Sequence, residues 1–132
     1  MKNYKYVNPA LILIAALILF NSCDDTNPAD IQFPTENVSF NNHVQPLLNL
    51  KCNYSGCHDD GSRAGGISLT TWTNVTNDPT LVFPFEPESS RLIWSIQNRP
   101  GASLMPPLGY QPLIKREIDG IYKWIEEGAK NN

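Results

Sequence analysis

Cys52-Asn53-Tyr54-Ser55-Gly56-Cys57-His58 is the segment that most constrains this 132-residue chain. Two thiols bracket four residues, and an imidazole follows the second thiol directly. Three chemistries use such a group: covalent haem attachment with the histidine on the iron, a disulfide, or a metal clip. Haem attachment usually places two residues between the cysteines. Any of the three supplies a small domain with a staple or cofactor that its limited core needs.

The N-terminus places the chain in a compartment. Lys2 and Lys5 precede an apolar run from Ala10 to Phe20. That run is too short to cross a bilayer as a helix, which takes roughly 20 residues. A basic start followed by a short apolar core reads as an export signal. Asn21-Ser22-Cys23 closes it and resembles the cleavage box of bacterial lipoproteins, in which Cys23 is lipidated and becomes the first mature residue. An ordinary signal peptide with an unrelated Cys23 is the alternative. The expected organisation is a signal peptide over 1–22, a lipidated Cys23 with a polar, proline-bearing tether to 37, and one domain over 38–132. Loss of Lys2 and Lys5 leaves 8 basic residues against 13 acidic ones, a net charge of −5. That balance argues against a nucleic-acid partner. In an exported protein an isolated Cys52/Cys57 pair has a disulfide as its bland reading.

The domain reads as mostly α. Phe40, Val44, Leu47 and Leu48 share one helical face over 38–50, with Ser39 as N-cap. Pro46 lies inside that run, so the helix either kinks or restarts there. It delivers Cys52 at its C-terminal end. Residues 59–87 are rich in Gly, Asp, Asn, Thr and Pro and are expected to be irregular, a length that implies something organises them. A short helix is expected through Leu92, Ile93 and Ile96, capped by Ser89. A last helix runs from about Pro112 to Glu127, with Ile114, Ile118, Ile121 and Ile125 inward and Gly128 as its stop. Leu113, Tyr122 and Trp124 widen that face.

Covalent haem needs two thiols for the two vinyl groups and an imidazole beside the second thiol as an axial ligand. Cys52, Cys57 and His58 supply those groups in order, and Gly56 gives the longer loop its freedom. A second axial ligand must come from elsewhere. Past the signal the only methionine is Met105, carried on Met105-Pro106-Pro107, an arm that the prolines hold extended. A methionine filling a core gap is the bland alternative, and His43 is the competing ligand. Zinc needs a fourth donor, and His43 stands at no zinc spacing. Arg91 and Arg99 are candidates to meet haem propionates.

These motifs carry a resemblance. Phe40…Val44-Gln45-Pro46-Leu47-Leu48, Lys51-Cys52…Gly56-Cys57-His58, Gly65-Gly66-Ile67-Ser68-Leu69, Glu88-Ser89-Ser90-Arg91-Leu92, Met105-Pro106-Pro107 and Trp124-Ile125-Glu126-Glu127-Gly128-Ala129 resemble the small c-type cytochrome domains of bacterial exported proteins. The planctomycete-type cytochrome c family is among these. The resemblance implies a cytochrome c-like fold of about three helices with long haem-wrapping loops. It implies one covalent haem c on Cys52 and Cys57, with His58 as proximal and Met105 as distal iron ligand. The four-residue Cys spacing departs from the family pattern. The implied function is one-electron transfer by a membrane-tethered, periplasmic or surface lipoprotein, an electron carrier rather than an enzyme, serving a dehydrogenase or respiratory complex. Two other readings stand beside it: a disulfide-stapled binding lipoprotein without cofactor, and a peroxidase-like haem enzyme with an open distal position.

Overall fold

Pro46 decides how the chain enters its first helix. A proline has no amide hydrogen, so an α-helix running through it loses one bond. The chain accommodates this with a wide turn first. Phe40–Val44 is π-helical, with the amides of Val44 and Gln45 reaching back to the carbonyls of Ser39 and Phe40. The α-helix then starts afresh as α1, Gln45–Lys51, with Pro46 in its first turn. Ser39 caps the assembly by accepting from the Asn42 amide at 3.2 Å. The computed structural model describes residues 31–132. The expected signal peptide, Cys23 and the tether up to residue 30 lie outside the described residues.

Three more α-helices follow: α2, Trp72–Thr76; α3, Arg91–Ile96; and α4, Lys115–Glu126. Short 3-10 turns stand at Ala64–Gly66 and Pro87–Ser89. Among the described residues there is no strand, so the mostly α reading holds. The single turn α2 was not anticipated. It forms because Thr71 caps it from the Asn74 amide at 3.2 Å, which a reading by apolar periodicity passes over.

Two helix starts differ from expectation. The N-cap of α3 is Ser90, because Ser89 belongs to the preceding 3-10 turn. The Ser90 hydroxyl accepts from the Phe83 amide and donates to the Glu86 carbonyl, tying the preceding loop to the helix. Pro112 lies before α4 rather than in its first turn, and Ile114 is the N-cap residue. At the far end Gly128 has φ +99°. There the Gly128 amide bonds the Ile125 carbonyl, and the Ala129 amide bonds that of Trp124, the paired closure of a glycine-stopped helix.

The buried face of α4 is rotated from the isoleucine stripe. Ile121, Trp124 and Ile125 are buried, as are Glu117 and Gly120, while Ile114 is exposed. The core joins Phe40, Val44, Leu47 and Leu48 to Ile93 and Ile96 of α3 and to this face. Phe40 and Trp124 meet with ring centroids 5.4 Å apart, a tilted aromatic pair worth about 0.5–1.5 kcal/mol beyond its buried area. Packing extends back to Ile31 and Phe33. Phe33 covers Gly120, where an added Cβ would stand 2.2 Å from the ring. The Glu127 carboxylate accepts from the amides of Asn37 and Val38.

Candidate haem site

The loop after α1 builds the site from its own hydrogen bonds. The Cys52 amide still bonds the Leu48 carbonyl, so this residue ends the helix. The chain then turns back, and the His58 amide reaches the Cys52 carbonyl at 3.1 Å. Between them Cys57 N donates to Tyr54 O, and Gly56, at φ +85°, donates to the Ser62 hydroxyl. Tyr54, Ser55 and Gly56 are exposed in this turn, and Tyr54 and Gly56 also border the cavity it helps to form.

The largely irregular stretch 59–71 is ordered by a polar hub that reaches Asn74 on α2. The Asp60 carboxylate accepts from Ser68 Oγ at 2.7 Å, Thr70 Oγ1 at 2.8 Å and Asn74 Nδ2 at 3.2 Å. The Ser68 hydroxyl, and after it that of Thr70, holds the Asp60 carboxyl below the usual carboxylate range. This hub holds the strip Ile67–Leu69 beneath His58: the Leu69 amide bonds the His58 carbonyl, and the Ile67 carbonyl lies 3.2 Å from His58 Nδ1. A carbonyl only accepts, so this contact calls for a proton on Nδ1, the tautomer in which Nε2 is the ligating nitrogen.

Cys52, Cys57, His58 and Met105 all line one cavity of about 390 Å³. Its other walls are largely apolar, among them Ile67, Leu69, Leu92, Ile96 and Leu113. Met105 is brought there by a separate segment. Its amide donates to the Ser95 carbonyl at 3.1 Å, which fastens the Met105-Pro106-Pro107 arm to α3. The two thiols are free, with no disulfide between them. Burial, then the neighbouring Cys57, pushes the Cys52 thiol up to about 12; Lys51 pulls it down and Glu117 pushes it further up. At neutral pH this thiol is protonated and a poor spontaneous nucleophile.

Other expected residues fall elsewhere. His43 does not line the cavity. Its Nδ1 accepts from the Ser39 amide at 2.9 Å, and its ring stands 5.9 Å from that of Phe33. Arg99 is also absent from the walls and pairs with Glu88. Arg91 does line the cavity, in a half-exposed pair with Asp78 at 3.1 Å. Trp124 is core, and the Tyr122 hydroxyl donates to Glu88. Sequence reasoning missed Glu117, whose carboxylate accepts from Lys51 Nζ at 2.9 Å and the Ile114 amide at 2.8 Å. Its signal was present: Leu113, Glu117, Ile121 and Ile125 recur every four residues, which puts a carboxylate in the middle of an apolar stripe.

The donor set suits a covalently held haem. Two unpaired thiols, an imidazole with free Nε2 and a thioether share one apolar cavity, whose volume lies in the roughly 300–1,000 Å³ range of cofactor sites. A mostly α fold with this donor set is what a c-type cytochrome-like domain requires. Residues 55–109 match the family described as planctomycete cytochrome C. That segment contains Cys57, His58, Met105 and both prolines of the arm, while Cys52 lies just before it. No curated protein and no solved structure matches the chain.

Proposed function

We propose that this chain is a mono-haem c-type cytochrome that carries single electrons. The observation that carries the reading is the convergence of Cys52, Cys57, His58 and Met105 on one cavity. Cys52 and Cys57 would hold the haem covalently through their sulfurs, and His58 and Met105 would ligate its iron. Bound there, the haem supplies a reversible Fe(III)/Fe(II) couple. The protein's residues do the rest. The Ile67 carbonyl orients the His58 ring, the proline arm presents the Met105 thioether, and the apolar walls exclude water. A thioether favours Fe(II), so this ligand pair raises the potential.

The export signal and Cys23 support a lipid-tethered carrier on the periplasmic side or at the surface. A dehydrogenase or respiratory complex is its partner in this reading. The deciding experiment is expression with a haem-maturation system, followed by intact mass and pyridine haemochrome absorbance. The expected mass is polypeptide plus one haem, with lipid on Cys23. A mass of polypeptide plus lipid, with no haem, overturns the cytochrome reading and favours the cofactor-free lipoprotein. A high-spin spectrum in the wild type favours an open, peroxidase-like site instead.

A further inference from the structure

Lys51 and Glu117 form an ion pair withdrawn from water, with side-chain exposures of 5% and 0% and a separation of 2.9 Å. Arg91–Asp78, by contrast, is about half exposed on both sides. Glu117 Oε2 takes both the Lys51 ammonium and the Ile114 amide, while Oε1 is buried with no donor. The Lys51 ammonium also donates to the Pro112 carbonyl at 3.2 Å. Lys51 lines the cavity and precedes Cys52, whereas Glu117 stands behind it on α4.

We propose that the buried Lys51–Glu117 pair is an electrostatic positioning element that sets the reduction potential of the haem held in the cavity, an inference resting on the haem reading above. Lys51 places a positive charge at the wall, and Glu117 cancels most of it from behind. In a medium screened far less than water, removing either partner exposes the full field of the other. The Cys52 thiol already senses both charges with opposite signs. The oxidised haem carries one more positive charge than the reduced one. An unbalanced ammonium therefore favours reduction, and an unbalanced carboxylate favours oxidation.

The test is a charge cycle on the haem-loaded protein. Glu117→Gln removes the negative charge and keeps an acceptor for the Ile114 amide; Lys51→Met removes the positive charge together with its hydrogen bond to the Pro112 carbonyl. Covalent haem is counted first by pyridine haemochrome, and midpoint potentials are then measured spectroelectrochemically. They are read at about pH 7 and 9, because a buried carboxyl without its cation can hold a proton up to about pH 8–9. The expected order places Glu117→Gln above wild type and Lys51→Met below it at the higher pH, with the double variant between the two. A purely structural pair would shift both single variants in the same direction through loosened packing, and the double at least as far. That result, or single variants indistinguishable from wild type, overturns the proposal. If one single variant is not recovered folded, the other and the double carry the same sign test. Absence of covalent haem in the wild type is a failure of the functional reading and is seen before any potential is measured.

Discussion

The Nδ1 atom of His58 lies 3.2 Å from the carbonyl oxygen of Ile67. The acceptor is main chain, so no side-chain change at Ile67 removes it. Ligation and packing are therefore separable. Ile67→Ala is expected to keep the low-spin haem spectrum while lowering stability by about 2 kcal/mol, the low end for a truncated isoleucine because this residue is only partly buried. His58→Ala is expected to abolish the low-spin spectrum. Absorption spectra and urea denaturation of both variants check this. A lost low-spin spectrum in Ile67→Ala would mean that the side chain, and not the carbonyl, orients the ring.

Met105→Leu tests the second ligand. Leucine preserves volume and apolar character but supplies no sulfur donor. The expected result is a lower midpoint potential and an open coordination position that binds added imidazole, with little loss of stability. An unchanged reduced spectrum and potential would remove Met105 from the ligand set.

Asp60 gives a pH signature to the loop beneath His58. Hydroxyls of Ser68 and Thr70 hold its folded pKa below the ordinary value, which is roughly 3.9. A depressed carboxylate contributes stability that is complete above its unfolded pKa and is lost as pH falls through the folded one. Asp60→Asn cannot ionise and lacks that part. The difference in urea midpoint between wild type and Asp60→Asn is expected to stay constant from about pH 7 to 5 and to shrink below about pH 4. A difference that does not change with pH would show that the carboxylate charge has no part in holding the loop.

Gly120→Ala sets two effects against each other. Alanine in a helix interior gains up to about 1 kcal/mol over glycine. Here its Cβ would stand 2.2 Å from the Phe33 ring, an overlap of the kind that costs about 1–3 kcal/mol. The collision is expected to win, giving net destabilisation of about 1 kcal/mol and faster proteolysis of the segment before Val38. In a Phe33→Ala background the same substitution is expected to become stabilising. Chemical denaturation of the four variants reads the sign change.

Much of the fold was legible because its signals are local. Ser39 as a cap, Pro46 as a restart and Gly128 as a stop each act within a few residues, and each acts so in the structure. The reading slipped where a short polar signal or a face had to be chosen. The turn α2 hangs on one threonine cap. The inward face of α4 is set by Glu117 and Gly120, whose burial depends on Lys51 and Phe33 from distant parts of the chain. In sequence the Asp60 hub is only a loop rich in polar residues, because nothing local says that Ser68, Thr70 and Asn74 point at one carboxylate.

By itself the sequence determined the chemistry on offer: a thiol pair with an adjoining imidazole within seven residues, a thioether on a proline arm and the helices that bear them. Those are matters of residue type and short spacing. Only the tertiary structure decided that Met105 and not His43 shares the cavity with His58. Only it paired Lys51 with Glu117 across 66 positions. The reason is physical. Which face of a helix turns inward, and which distant group meets it there, follows from burying apolar area jointly and from leaving no charge without a partner. Both are properties of the packed whole, not of any one segment.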